Sequence, residues 1–224
     1  MTDRGEMRGA FIAWGGELGV PVTKRYLDRL DPFWDLLLRW SRRVDLTGYR
    51  DREAVMRGLL APTLALAAAG AIRGAGPVLD VGSGAGIPGI PLAALYPETP
   101  FDLVEPRERR VLFLREAVGL LSLKNARPVR GRIEDLPPVP AYATAVSRAI
   151  DPIPLLATME HLLASGASWW VQSSGEPFPR PGVSLPVGWE ASPRVVRDPV
   201  GREITFVRLS RRLRLAEQGG EGVP

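Results

Sequence analysis

The 224-residue sequence predicts an α/β fold: a doubly wound, mostly parallel sheet that carries a helical N-terminal extension. Three observations predict it. Up to about residue 72, apolar residues recur at three- and four-residue steps, the helical period. From Gly76 onward, short runs rich in β-branched residues alternate with helical segments, the pattern of a parallel sheet covered on both faces. At the end of the first such run, VLDVGSGAGIPGIP (78–91) puts four glycines within eight residues, where an open α/β sheet binds its ligand.

Taken in order, Phe11, Ile12, Leu18 and Val20 mark a short helical segment. Thr23 is the expected N-cap of the next helix, whose stripe is Tyr26, Leu27, Leu30, Phe33, Trp34, Leu37 and Leu38. Pro32 predicts a kink or a break into two helices. Asp51 is expected to cap a helix through Arg57, Pro62 to break it, and a further helix to run to about Ile72. Strands are expected at 77–81, 100–104, 126–130, 143–148, 167–172, about 189–197 and 203–209, with helices near 88–95, 107–121 and 152–164. The last two strands have no helix between them and predict an antiparallel pair. Residues 177–188 read as a Pro/Gly-rich loop. The expected organisation is an extension over 1–75 packed on a core over 76–212, followed by a disordered tail over 213–224.

Composition bounds the function. A hydrophobic fraction of 45% builds a sizeable core. Cysteine is absent and His161 is the only histidine, which excludes disulfides, thiolate metal sites and multi-histidine metal sites. No metal is expected. The longest apolar run, Leu59–Ile72, is too short to span a bilayer and contains Pro62 and Gly70. The first ten residues lack the apolar core of a signal peptide. A soluble, cytoplasmic monomer with no membrane partner is the expectation. The net charge of +4 and pI of about 9.9 permit a nucleic-acid partner. Only Lys24 and Lys124 are lysines, however, so the arginine excess also fits a coding bias.

The glycine loop formally matches G-x-G-x-x-G over Gly84–Gly89, but its position argues against a dinucleotide. There the glycines begin directly after the strand, and the pyrophosphate sits on the helix N-terminus. Here Asp80 occupies the strand end, with Gly82, Gly84 and Gly86 at two-residue spacing. A carboxylate beside a pyrophosphate repels it. The same acid can attract the ammonium of an amino-acid moiety, directly or through water. Glu105, at the end of the second strand and 25 residues after Asp80, can accept from both ribose hydroxyls. Ile133 and Glu134 follow the third strand, where an adenine would rest. S-adenosylmethionine is the expected cofactor, ahead of a nicotinamide dinucleotide.

At this point the sequence resembles a known family. VLDVGSGAGIPGIPLA, FDLVEPRERRVLFLRE, LKNARPVRGRIED and AVSRA, in that order, resemble the bacterial 16S ribosomal RNA guanine-N7 methyltransferases (RsmG, also called GidB). LLLRWSRRVDLTGYRDREAVMR upstream resembles the same family, and the likeness covers about residues 26–210. It rests most on the Gly-Ile-Pro-Gly-Ile-Pro ending, Arg109-Arg110 with Phe113-Leu114, and Ser147-Arg148-Ala149.

The resemblance implies a Rossmann-like, class I S-adenosylmethionine-dependent methyltransferase sheet. The implied activity is methyl transfer to N7 of one guanine in 16S rRNA, with that RNA or the small ribosomal subunit as partner. By the same resemblance, Gly82, Ser83, Gly84, Gly86 and Glu105 line the cofactor, Ile133 and Glu134 flank its adenine, and Arg148 faces the acceptor as the catalytic residue. Arg109 and Arg110 could meet RNA phosphates. Two departures stand out. Where the family usually reads His-Ile-Leu-Asp-Ser, this sequence reads Gly58-Leu59-Leu60-Ala61-Pro62. Where it usually has a lysine before a glycine, Ser173 and Ser174 precede Gly175. Both departures are expected near the cofactor and acceptor pocket. They leave open a divergent methyltransferase using other arginines, a small-molecule methyltransferase, and a non-catalytic RNA- or ribosome-binding relative. His161 is expected on a helix surface, and Trp14, Trp34, Trp40, Trp169 and Trp170 in packing. Arg42 and Arg43 could rim the pocket; Arg211, Arg212 and Arg214 read as a solvated basic end.

Overall fold

A computed structural model describes residues 4–72, 76–138, 141–172, 178–179 and 182–211. The Ser173-Ser174-Gly175 departure, Arg212, Arg214, the 213–224 tail and residues 177, 180 and 181 of the Pro/Gly-rich loop lie outside these residues.

Helix α1 spans Arg4–Glu17 and α2 spans Lys24–Trp40. The Thr23 side chain caps α2, accepting from the Tyr26 N–H at 3.1 Å. The expected break at Pro32 is absent: α2 is continuous. Pro32 lies on the exposed face, so water can satisfy the carbonyl it leaves free, while Leu27, Leu30, Phe33, Trp34 and Leu37 anchor the opposite face. Pro62 does not interrupt the chain either. Helix α3 (Arg52–Val55), capped by Asp51, widens into a π turn over Met56–Leu60 and continues as α4 (Ala61–Ala68). The wide turn lies just before Pro62, whose ring would otherwise crowd the carbonyl four residues back.

The sheet has seven strands: β1 Val78–Val81, β2 Phe101–Glu105, β3 Ala126–Arg130, β4 Tyr142–Arg148, β5 Leu163–Gln172, β6 Trp189–Arg197 and β7 Glu203–Arg211. Their order is β3-β2-β1-β4-β5-β7-β6. The first five are parallel; β7 runs antiparallel to β5, and β6 to β7. Helices α5 (Gly89–Leu95), α6 (Glu108–Leu120) and α7 (Leu156–Leu162) connect them.

The two faces of the sheet are covered unequally. One continuous core joins α1, α2 and α4 to α5, α6 and the sheet, so the extension shares its interior with the strands. Phe33 meets Phe113 of α6 at 6.1 Å between ring centroids, and the Tyr26 hydroxyl donates to the Pro91 carbonyl of α5 at 3.2 Å. The other face is covered by α7 and by short turns. The tryptophans pack as expected. Trp169 and Trp170 are buried in β5, and the Trp169 indole donates to Ser147 Oγ at 3.0 Å. His161 is exposed in the last turn of α7.

Candidate cofactor and acceptor site

The strand order turns at β1, flanked by β2 and β4, and ligands of open α/β sheets bind at the carboxyl ends beside that point. A cavity of about 700 Å³ opens there. Its walls are the loop after β1 (Gly82–Ala85 and Ile87), the end of β2 (Glu105–Arg107) with Arg110, the end of β4 (Arg148–Ile150), and a loop of the extension, Asp45–Tyr49.

The glycine loop is shaped from below. Asp80 is buried in β1, and one carboxylate oxygen accepts from the Gly89 N–H at 3.1 Å, at the start of α5. A Cβ at Gly89 would come closer than 3.0 Å to that oxygen and to Leu103, so the contact requires glycine. The other oxygen, Oδ1, is buried without a partner. Burial pushes Asp80 up to about 7; hydrogen bonds from Ser83 and the Gly89 N–H pull it back, and the nearby Glu105 charge adds to the rise.

Glu105 faces the cavity at the end of β2 and anchors the loop. Its Oε2 accepts from the Gly84 N–H at 3.0 Å and its Oε1 from the Arg107 N–H at 2.9 Å. Each oxygen keeps a further lone pair. Gly84 has φ +52°, and a Cβ there would project into the space below Arg110. Arg110 bridges the site: its guanidinium donates to the Asp45 carbonyl at 2.7 Å and stands 4.0 Å from Glu105 Oε2.

At the far wall, Arg148 ends β4 half-buried. Ala149 follows with φ +56°, a left-handed conformation uncommon for a residue with a side chain. Burial pushes the Arg148 guanidinium down from its ordinary value, and the Tyr49 hydroxyl beside it opposes the shift.

The cavity thus brings together Gly82, Ser83, Gly84, Glu105, Arg110 and Arg148 of the residues expected from sequence. Others lie elsewhere. Asp80 braces α5 beneath the loop and is not on the cavity wall, because its strand is covered on both sides. Gly86 packs inward against Ile90 and Leu114. Ile133 is buried and Glu134 exposed in a short 3-10 turn after β3, outside the lining. Arg109 is exposed and belongs to a neighbouring surface hollow with Arg39, Trp40, Arg42, Arg43, Leu112 and Glu116, so Arg42 and Arg43 do not rim the cavity itself. Arg110 is tied to Asp45 and Glu105 instead of standing free for a phosphate. The departures at 58 and 61 separate: Gly58 packs against Tyr49 of this cavity, but Ala61 lines a different one with Phe11 and Asp198. Sequence reasoning assigned no site role to Asp45–Tyr49, Pro106, Arg107, Ala149 or Ile150. The extension loop reaches the cavity only through tertiary packing, which no spacing reveals.

The residues suit a nucleoside cofactor without phosphates. The floor carries an acid whose oxygens can still accept, the loop backbone is open at Gly84, and a buried acid lies beneath. Sheet order and cavity together define the class, a Rossmann-like α/β fold with its ligand site at the carboxyl ends of the strands. Solved structures share the fold. A SAM-dependent methyltransferase from Aquifex aeolicus matches with TM-score 0.54 at 20% identity, covering 71% of this chain and 93% of that one. A putative O-methyltransferase from Klebsiella pneumoniae matches with TM-score 0.53 at 14% identity, covering 82% and 91%.

Sequence relatives narrow the class. The chain is 32% identical to the ribosomal RNA small subunit methyltransferase G of Stutzerimonas stutzeri, over 73% of this chain and 76% of that one. It is 37% identical to the protein of the same name in Xanthomonas oryzae pv. oryzae, over 70% and 73%. The model of the GidB family, rRNA small subunit methyltransferase G, matches residues 27–176, and the chain belongs to that family.

Proposed function

We propose that this protein transfers a methyl group from S-adenosylmethionine to N7 of a guanine in 16S ribosomal RNA. One observation carries the reading: the glycine loop, the strand-end acid Glu105 and the strand-end cation Arg148 line one cavity in a member of this family.

S-adenosylmethionine supplies an activated methyl group. Glu105 would accept from the ribose hydroxyls with its remaining lone pairs, and the Gly82–Ala85 backbone would lie against the amino-acid moiety. Ile133 and Glu134, one turn beyond β3, would close on the adenine. Guanine N7 has an in-plane lone pair and no proton to remove, so no general base is needed. Catalysis is then mainly orientation, with N7 held about 3–3.5 Å from the methyl carbon in a near-attack geometry. Arg148 ends β4, the strand paired with β1 beside the glycine loop, and would donate to the adjacent O6 and N7 acceptors or hold the flanking phosphate. Arg39, Arg42, Arg43 and Arg109, outside the cavity, would meet phosphates further along the RNA, in a soluble protein of the cytoplasm.

The test incubates the protein with labelled S-adenosylmethionine and either unmodified small subunits or naked 16S RNA, then maps the product by N7-specific strand scission. Label in one guanine, weakening steeply with salt, is expected. Cofactor binding with no label in either RNA would refute the reading.

A further inference from the structure

Residue 58 has no side chain, and the consequence lies nine residues upstream. A Cβ built on Gly58 would come closer than 3.0 Å to the hydroxyl, Cζ and Cε2 of Tyr49. The space that any other residue at 58 would fill is therefore occupied by the tip of the Tyr49 ring. Gly58 lies in the π turn without an unusual φ, and a larger residue there would have to displace the Tyr49 ring. Tyr49 is half-buried and lines the same cavity as Arg148, and its hydroxyl opposes the downward effect of burial on the Arg148 guanidinium. Its backbone is fixed locally, the Tyr49 N–H donating to Thr47 Oγ1 at 3.3 Å.

We propose that Tyr49 is a positioning residue whose hydroxyl, admitted by the missing side chain at Gly58, holds the Arg148 guanidinium toward the acceptor. The departure at 58 then has a compensating partner in the same chain: a tyrosine from the extension loop occupies the vacated space. Arg148 would otherwise be a long, rotatable cation in a wide cavity, and the left-handed Ala149 after it fixes only its backbone. A phenolic oxygen beside a guanidinium restricts the head group without neutralising it, which leaves the remaining N–H groups free for the guanine edge or a phosphate.

The inference rests on the functional reading above, and two measurements separate them. The first is structural and needs no substrate. The Arg148 Nε–Hε resonance of the free protein, assigned by its loss in Arg148→Lys, is expected to move in Tyr49→Phe more than any other arginine resonance. An unmoved signal overturns the contact. The second is single-turnover methyl transfer to small subunits. Tyr49→Phe keeps the ring and is expected to slow transfer about tenfold, in keeping with loss of one hydrogen bond to a charged group. S-adenosylhomocysteine affinity and melting temperature are expected to stay at wild-type values. Gly58→Ala should produce a similar loss by displacing the ring, and adding it to Tyr49→Ala should cost nothing more. Full turnover in Tyr49→Phe with loss only in Tyr49→Ala would overturn the proposal in favour of ring packing. A wild-type protein that binds cofactor but methylates no RNA would sink the functional reading alone, and the resonance would still decide the contact.

Discussion

Asp80 is an acid held in a fully buried strand, bonded through one oxygen to the Gly89 N–H, with the other oxygen unpartnered. Its folded pKa, about 7, lies above the ordinary 3.8. Between those values the folded state binds a proton that the unfolded state has released, so stability is present at low pH and is lost as pH rises toward 7. Asp80→Asn keeps an acceptor for Gly89 and removes the titration. The melting temperature of the variant should fall less than that of wild type between pH 5 and pH 8, and parallel declines would refute this origin. Arg148 makes the complementary point about charge at the cavity wall. Arg148→Ala should lower methyl transfer about 10²-fold or more through lost orientation, with S-adenosylhomocysteine affinity retained in calorimetry. Unchanged turnover would remove Arg148 from the acceptor side. The sequence made Arg148 and Glu105 visible because each ends a strand. Tyr49 was hidden, because its importance depends on an empty volume at residue 58 that only the folded chain encloses.

At the level of elements, the strands were the most legible feature. Short β-branched runs separated by helices placed β3 and β6 at their observed bounds and most others within two residues. The early part of β5, LASG (163–166), was missed because Gly166 and the small residues around it carry no strand pattern. The helices of the extension were legible in their apolar stripes but not in their continuity. Proline rules count the lost hydrogen bond; they do not show that Pro32 faces solvent or that a π turn precedes Pro62. The loop between α2 and α3 was the element least legible, and it supplies one wall of the site. Arg110 is the cross-link that holds it, joining the Asp45 carbonyl to the neighbourhood of Glu105. Arg110→Met preserves much of the apolar stem and removes the donors. Amide hydrogen exchange over residues 41–50 should then accelerate, while β1 and β2 keep their protection. Equal protection in wild type and variant would show that the loop is held by other contacts.

For the molecule as a whole, the boundary near residue 75 divides the sequence pattern but not the interior. Leu30, Phe33, Trp34 and Leu37 of α2, Leu60 of the π turn and Leu64 of α4 belong to the same buried cluster as Ile90, Leu92, Phe113 and Leu114. The aromatic contacts cross that line, with Phe113 touching both Phe33 and Trp40. Polar ties cross it as well: Trp14 Nε1 donates to the Arg197 carbonyl at 3.0 Å, and Thr144 Oγ1 donates to the Ala71 carbonyl at 3.0 Å. A fragment beginning at residue 76 would expose that face of α5 and α6 to water. Each large buried side chain left without its partners forfeits about 2–5 kcal/mol, and a domain is stable by only about 5–15 kcal/mol. The fragment should therefore lack a cooperative thermal transition and a near-ultraviolet circular dichroism signal. The intact chain should unfold in one transition seen alike by tryptophan fluorescence and far-ultraviolet dichroism. A fragment beginning at residue 23 keeps α2 and loses only Met7, Phe11, Trp14 and their neighbours from the core. It should still fold, with a lower melting temperature. A cooperative melt of the 76-residue-start fragment at the temperature of the intact protein would mean that the strands stabilise themselves. The extension would then serve the cavity alone and not the fold.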